Sequence, residues 1–534
     1  LINGPNDNLE GVSKLLSEVR PTWSDFISSF GTVTEFVPIN LDAWLVNGND
    51  DEFVASCPPR NKADLRLRRT RSLDLFRYAQ RTKKLSKLKS CVSQISNRFS
   101  YFTVLNLLWS YFLLGQEVWD ILVRIGALAG DEEEYVTRTK KLSDGLKTFD
   151  FEDLPVEKFK LFELQSLTGY RTPPFPGFNL KEEAIKLTNP NIERNWPAGT
   201  KFADYSDAAL KPNIAPIKYV SFSDYVKSLK WSRAGSSSIG KLEAHLPDGA
   251  VVKIKCRKNF VIDFMTLEAL TKLAETNEKC VGSVIIKPEL SKIRIAVAGD
   301  LLTYLQMSWI AELAGDVYKN WLGNSMVNGG SDTIELMRRL LRQTATKYSL
   351  PFDYRLFDHQ ILKQEQAVIF KKIVATAAEN NPGHVGEINE MAAHILVGME
   401  GAKLLVRDGK SLEILDVING LLSGTKFTTW MSNGWNGTVT EAVLSVLESL
   451  GVDTSGVEIT IRGDDTVLSS NSPALLRLCQ WAYSMLKAQY SEGKFGLHKG
   501  QLEFLRIWYD TRCHGYPARA IPTLTQRKPW NSEP

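Results

Sequence analysis

Cysteine is scarce. There are six in 534 residues (Cys57, Cys91, Cys256, Cys280, Cys479 and Cys513), with no CxxC pair and no histidine at zinc-finger spacing from them. This excludes a disulfide scaffold and a zinc ribbon, and it reads as reduced thiols in a cytosol-like compartment. Charge of one sign is lacking too. Lys+Arg 65 against Asp+Glu 61 leaves +4, too small a surplus to imply a polyanion partner unless the cations cluster. Repeats at solenoid periods and low-complexity tracts are absent. Residues 1–14 mix Asn, Asp, Glu and Lys with no apolar core, so no signal peptide is expected; a start at Leu1 rather than Met reads as a fragment or a processed product. Long apolar runs are also missing, with one exception. Residues 99–116 (FSYFTVLNLLWSYFLLGQ) carry no charge, close to the roughly 18–20 residues that span a bilayer. Ser100, Thr103, Asn106, Ser110 and Gln116 interrupt the run, and Arg98 and Glu117 flank it. The pattern predicts a helix buried on all sides and no membrane partner.

What is present is ordinary globular composition, with 43% hydrophobic and 24% charged residues. That is ample for a large core over three to four domain-lengths. Cations do cluster once. Residues 62–89 hold eleven Lys and Arg against Asp64 and Asp74, interleaved with Leu65, Leu67, Leu73, Leu75, Phe76, Tyr78, Leu85 and Leu88. This predicts a basic amphipathic helix, either merely solvated or facing RNA phosphates. Residues 170–216 are rich in Pro and Asn and read as a long irregular connection. From about 217 onward, strand-like runs (GSVIIK, KIRIAVAG, VEITIRG) alternate with helical ones (LLTYLQMSWIAELAGDVYKNWLG, HQILKQEQAVIFKKIVATAAEN, SPALLRLCQWAYSMLKAQY). Helices on a small antiparallel sheet predict an α+β fold.

The chemistry sits in paired carboxylates. Gly463-Asp464-Asp465 lies between two β-branched runs, which puts the acids at a hairpin tip. An acidic pair alone says little; Asp50-Asp51 in NGNDDE reads as a solvated turn. Upstream, LPFDYRLFDHQ places Asp353 at a strand end and Asp358 at the start of the helix that follows. Two-metal phosphoryl transfer needs carboxylates from separate strands around cations about 3.5–4 Å apart. Asp353 and Asp464 on neighbouring strands meet that need, and hard oxygen donors suit Mg²⁺ or Mn²⁺.

Other segments add partners for a nucleotide. In GLLSGTKFTTWMSNGWN, Ser423 and Gly424 form a small-residue loop running into a helix at Thr428, where backbone and hydroxyls can approach ribose and phosphate. In IIKPELSKIRIAV, alternation along a strand sets Lys292 and Arg294 on one face, near Lys287 and Glu289; such cations can clamp a triphosphate. Lys499 precedes the apolar strand of Leu502, Phe504 and Leu505, which ends at Arg506. A lysine there can act as general acid for departing pyrophosphate, with Lys494 the weaker candidate.

In this order, the segments resemble the motifs of viral RNA-dependent RNA polymerases. K-x-E-x-x-K-x-R (287–294) resembles motif F, D-x4-D (353–358) motif A, SG-x3-T (423–428) motif B, GDD (463–465) motif C, the following helix with Lys499 motif D, and LEFLR (502–506) motif E. WSRAGSSSIG (231–240) resembles the loop where template enters. FDHQ, GLLSG and GYPARAIPTLTQRKPW are most similar to picobirnaviruses and their partitivirus-like relatives, whose genomes are segmented double-stranded RNA.

The resemblance implies a right hand. Residues 1–170 would be an N-terminal helical extension with part of the fingers, 171–345 fingers, and 346–510 palm with inserted fingers. In the palm, motif B runs over 423–433 and motif D over 473–499; residues 511–534 would start a thumb or form a tail. It implies RNA-directed RNA polymerase activity without a protein primer, replicating and transcribing a double-stranded RNA genome. The partners would be RNA template and product, nucleoside triphosphates and capsid protein, in the virion interior or host cytoplasm. By resemblance, Asp353, Asp464 and Asp465 hold two Mg²⁺ or Mn²⁺, and Asp358 senses the ribose 2′-OH. Ser423, Gly424, Thr428 and Asn433 face the nucleotide; Lys287, Lys292 and Arg294 meet the triphosphate; Lys499 is the motif D lysine. Two departures stand out. Many relatives place Asn nine residues after the motif B serine, where this chain has Ser432, followed by Asn433 and Asn436, so three residues compete for the ribose. Only 28 residues follow Arg506, too few for a helical thumb; either the polypeptide continues past Pro534 or the N-terminal region supplies part of that wall. The rival readings are a reverse transcriptase, disfavoured because Asp358 can accept a bond from a 2′-OH, and an inactive RNA-binding scaffold, disfavoured by the retained acids.

Overall fold

The computed structural model describes residues 21–33, 36–172, 177–232, 236–245, 247–326, 329–409, 411–490 and 496–529. The run at 99–116 is a helix, Tyr101–Leu114, with apolar side chains buried around most of its circumference. It is the centre of an N-terminal helical core that also takes in Trp44, Phe53, Trp119 and Tyr135. No helix among the described residues is long and apolar enough to cross a membrane.

The strands follow in chain order. β1 (Ser236–His245) and β2 (Val251–Arg257) form a hairpin. β3 (Val281–Glu289) and β4 (Lys292–Gly299) form a second one. β5 is Tyr348–Asp353; β6 (Lys403–Asp408) and β7 (Ser411–Asp416) are paired; β8 (Glu458–Arg462) and β9 (Asp465–Ser470) are paired. β10 is His498–Lys499, and β11 (Leu502–Phe504), β12 (Ile507–Tyr509) and β13 (Cys513–Gly515) make a small meander. Two four-stranded sheets result, ordered β10-β5-β9-β8 and β4-β3-β6-β7. The first is wholly antiparallel, whereas the second contains a parallel β3–β6 pair. The α+β expectation holds.

Strand parity decides which way the first sheet faces. Leu350, Phe352 and Leu468 enter the large core, shared with helices Leu301–Ala314, Lys363–Asn380, Thr428–Ser449 and Pro473–Met485. Alternate residues must then point to the opposite face. There Val467 packs against Leu502, Phe504 and Tyr509 of the meander, and Asp353 and Asp465 share that parity. Local signals set the flanking helices. Ser472 caps Pro473–Met485 by accepting from Leu475 N, with Pro473 in the first turn. Asp131 and Glu134 form a reciprocal capping box on Glu132–Thr148.

Four expectations need correction. The basic stretch is not one helix: a 3₁₀ turn (Lys62–Leu67) precedes two α-helices, Ser72–Arg81 and Leu85–Val92, and Lys83 between them takes a positive φ of 56°. Residues 170–216 are not wholly irregular; they include helices Leu180–Thr188 and Phe202–Ala209, whose Leu187 and Phe202 join cores. Asp50 is not a solvated turn acid. It accepts from Ser72 N (2.9 Å), Ser72 Oγ (2.7 Å) and Tyr101 Oη (2.9 Å) and pairs with Arg68. The segment 231–240 is only partly a loop, since β1 begins at Ser236, and residues 233–235 lie outside the described residues.

The chain's last described helix, Pro517–Thr525, packs into the N-terminal core through Ala518 and Ile521. Arg69 N donates to Thr525 O (2.9 Å), and Tyr170 N to Gln526 Oε1 (2.9 Å). The N-terminal region is stitched in turn to the β3–β4 turn, where Arg171 N donates to Glu289 O (3.1 Å).

Candidate active site

The turn between β8 and β9 consists of Gly463 and Asp464, closed by the Arg462–Asp465 pair. Gly463 has φ +64°, in the left-handed region that a residue with a Cβ adopts only at a cost. β5 lies beside β9 in a register that sets Asp353 opposite Asp465. Directly opposed residues of an antiparallel pair project to the same face, here the one turned from the helical core. Asp464 joins them on the wall of a cavity of about 470 Å³. Its other walls carry Lys287, Glu289, Lys292 and Arg294 from the β3–β4 hairpin, Glu503 and Arg506 from the meander, and Lys147 and Glu163 from the N-terminal region.

Charge is concentrated here. Burial pushes the Asp465 carboxyl up to about 8, and the charges of Asp464, Glu503 and Asp353 push the same way, with Lys147 opposing. Asp358 is raised to about 6, first by burial and then by Asp464, with Arg294 pulling it down. Across the cavity, Glu289 gathers the cations: Oε1 is 3.0 Å from Lys287 Nζ, and Oε2 is 3.8 Å from Lys292 Nζ and 3.5 Å from Arg294 Nε. Burial and Arg294 bring Lys292 down to about 8 against the pull of Glu289. Lys147 Nζ lies 2.8 Å from Glu503.

Among the described residues no three acidic, His or Cys side chains are gathered closely enough to hold an ion as they stand. Neighbouring carboxylates repel one another, which favours their standing apart. The chemistry of the donors nevertheless fits a divalent cation: hard oxygens from two adjacent strands, with one carboxyl raised first by burial and then by its neighbours' charge.

The loop before Thr428–Ser449 is tightly constrained. A Cβ on Gly424 would lie 1.5 Å from Val297 O, so the loop lies directly against β4. Thr428 Oγ1 bonds Leu422 O (3.1 Å) and Thr425 O (2.9 Å), and thus clasps the loop. Leu421 N donates to Asp358 O (2.7 Å), which joins this loop to the segment after β5. Ser423 is half-buried beside it. Asn433 and Asn436 both reach Gly463: Gly463 N donates to Asn433 Oδ1 (3.3 Å), and Asn436 Nδ2 donates to Gly463 O (2.8 Å).

Asp358, Ser423, Gly424, Thr428 and Asn433 do not line the cavity itself, and Lys499 stands farther off. Lys499 pairs with Tyr348 at the far end of β5 and lies over that ring (5.4 Å to its centre). Asp353 lies five residue steps along the strand from Tyr348, about 17 Å, so Lys499 does not meet the acids. Lys494 lies outside the described residues. Conversely, Lys147, Glu163 and Glu503 line the cavity without having been picked out. Lys147 and Glu163 carried no local signal, because they arrive from a distant part of the chain.

The family model for viral RNA-directed RNA-polymerase matches residues 177–527, and the chain belongs to that family. No curated protein sequence matches it. Among solved structures it is similar to the RNA-dependent RNA polymerase of a human picobirnavirus, with 12% identity and a TM-score of 0.42 over 65% of this chain and 65% of that one. It is also similar to an insertion-loop deletion mutant of the RNA-dependent RNA polymerase of a human picobirnavirus, with 14% identity and a TM-score of 0.37 over 67% of this chain and 78% of the other. The chain thus spans just under two thirds of the first of these structures.

Proposed function

We propose that the chain carries out RNA-directed RNA synthesis by in-line nucleotidyl transfer. The observation that carries this reading is the Asp353–Asp465 pair beside Asp464, across one cavity from Lys287, Lys292 and Arg294. Asp353, Asp464 and Asp465 would hold two Mg²⁺ or Mn²⁺. Ions held there would supply Lewis-acid activation of the attacking 3′-hydroxyl and charge neutralisation for the departing pyrophosphate. The protein's own part is positioning and field. Arg294 and Lys292 orient the triphosphate, with Lys287 beside them. Asp358 accepts from the ribose 2′-OH when ionised, and Arg294 helps keep it so. Ser423, Gly424 and Asn433 border the nucleotide, and Thr428 keeps their loop closed.

The motif resemblance extends the proposal to a double-stranded RNA genome, initiation without a protein primer, and a capsid protein as partner, in the virion interior or host cytoplasm. RNA contact outside the cleft is assigned to the basic stretch 62–89, where Arg66, Arg69, Arg71, Arg77, Arg81, Lys83, Lys84, Lys87 and Lys89 are all exposed.

The test is Mg²⁺-dependent incorporation of ribonucleotides on an RNA template. Asp464→Ala should lower it at least a thousandfold while RNA affinity stays within about twofold. Synthesis surviving that change would overturn the site, and a preference for deoxyribonucleotides would overturn the RNA reading.

A further inference from the structure

Asn436 is fully buried, at 0% exposure, and lies beneath the acids rather than among them. Its side chain makes three hydrogen bonds. Nδ2 donates to Gly463 O (2.8 Å) and to Thr466 Oγ1 (2.8 Å), and Oδ1 accepts from Tyr354 Oη (3.0 Å). Each partner is the chain neighbour of a different acid: Tyr354 follows Asp353, Gly463 precedes Asp464, and Thr466 follows Asp465. Strand parity makes this arrangement possible. A residue adjacent to one on the cleft face must point to the core face, which is where the helix Thr428–Ser449 lies. One amide therefore ties the end of β5, the turn and the start of β9 together from behind. An Asn side chain offers two donors and an acceptor; both donor hydrogens and the acceptor are in use.

We infer that Asn436 is a positioning residue that sets the mutual spacing of Asp353, Asp464 and Asp465, and hence the affinity and geometry of their divalent-ion site. It touches neither ion nor nucleotide. Asn433, one turn back, grips the same residue through the N–H of Gly463, which donates to Asn433 Oδ1. Of the three residues that compete for the ribose, Asn436 is thereby assigned elsewhere. Neighbouring carboxylates repel one another, and the three bonds of Asn436 oppose their drifting apart. The inference deepens the polymerase reading and rests on it for the identity of the site.

The experiment titrates Mn²⁺ into the full chain and follows free ion by electron paramagnetic resonance, with Asp464→Ala as the blank for binding elsewhere. Asn436→Leu, similar in shape but without the three bonds, should weaken the Asp464-dependent binding at least tenfold. Tyr354→Phe and Thr466→Val each remove one bond and should weaken it two- to fivefold. In the synthesis assay the Mg²⁺ concentration for half-maximal rate should rise in the same order, with RNA affinity unchanged. If Asn436→Leu fails to fold, the two single-bond variants decide. Unchanged Mn²⁺ affinity and unchanged Mg²⁺ dependence in the folded variants overturn the inference. Wild type that binds Mn²⁺ through Asp464 but makes no RNA overturns the polymerase reading instead, and the binding series still reads Asn436.

Discussion

Asp465 shows what one side chain gives up for its position. Burial and three neighbouring acids hold its carboxyl near 8, against about 3.9 in an unfolded chain. Between these values the folded protein keeps a proton that the unfolded chain has released. Stability therefore falls as pH rises from about 4 to about 8, with a slope approaching about 1.4 kcal/mol per pH unit for one proton. Asp465→Asn should remove that slope and raise the melting temperature at pH 8 in the absence of divalent ions, although synthesis is lost. Saturating Mg²⁺ or Mn²⁺ should flatten the wild-type slope and leave the variant unmoved. Thermal melts from pH 5 to 8, with and without the cation, measure both. A wild-type curve parallel to that of the variant would refute the assignment.

At the scale of elements, the loop between β7 and the helix Thr428–Ser449 is fixed by its closeness to β4. A Cβ on Gly424 would meet Val297 O at 1.5 Å, a backbone atom that cannot step aside. Gly424→Ala must push the loop off β4 and should destabilise the chain by about 1–3 kcal/mol. Because the loop is tied to Asp358 by the Leu421 bond, the KM for ribonucleotides should rise at least tenfold. Denaturant melts and steady-state kinetics test the two parts; a wild-type KM would detach the loop from the nucleotide. Much at this scale was legible in advance. The alternation in VEITIRGDDTVLSS predicted β8, β9 and the turn, and the uncharged run at 99–116 predicted a buried helix. The basic stretch was misread because leucine spacing is blind to a break: the pattern runs on through Lys83, while the backbone there turns to positive φ. Helix Leu180–Thr188 was missed because the Pro and Asn around it hid a short apolar stripe, although Asn179 caps it.

At the scale of the whole molecule, the N-terminal core takes in the last described helix, Pro517–Thr525, and Lys147 and Glu163 reach the cavity from that side. The N-terminal region thus forms a wall of the cleft. The exposed basic residues lie on the same region, next to Arg69, whose guanidinium donates to Thr523 O (2.9 Å). Replacing Arg77, Arg81, Lys84 and Lys87 with Gln should flatten the salt dependence of RNA binding, lowering the slope of log K against log salt by up to about 3 for a single strand. An unchanged slope would make the face a solvated one. These four side chains stand out from the core, so stability should change by less than about 0.5 kcal/mol each.

Short-range pattern was enough for the acids. Strand periodicity and a glycine turn are properties of a few adjacent residues, so Asp353 at a strand end and Asp464 at a hairpin tip could be read from the chain itself. Register between β5 and β9, the three bonds of Asn436 and the arrival of Lys147 join residues 27 to 356 positions apart. Contacts at such separations leave no local periodicity, because they are chosen by how whole elements pack. Only the folded chain could therefore say which amide braces the acids and which end of the polypeptide walls the cleft.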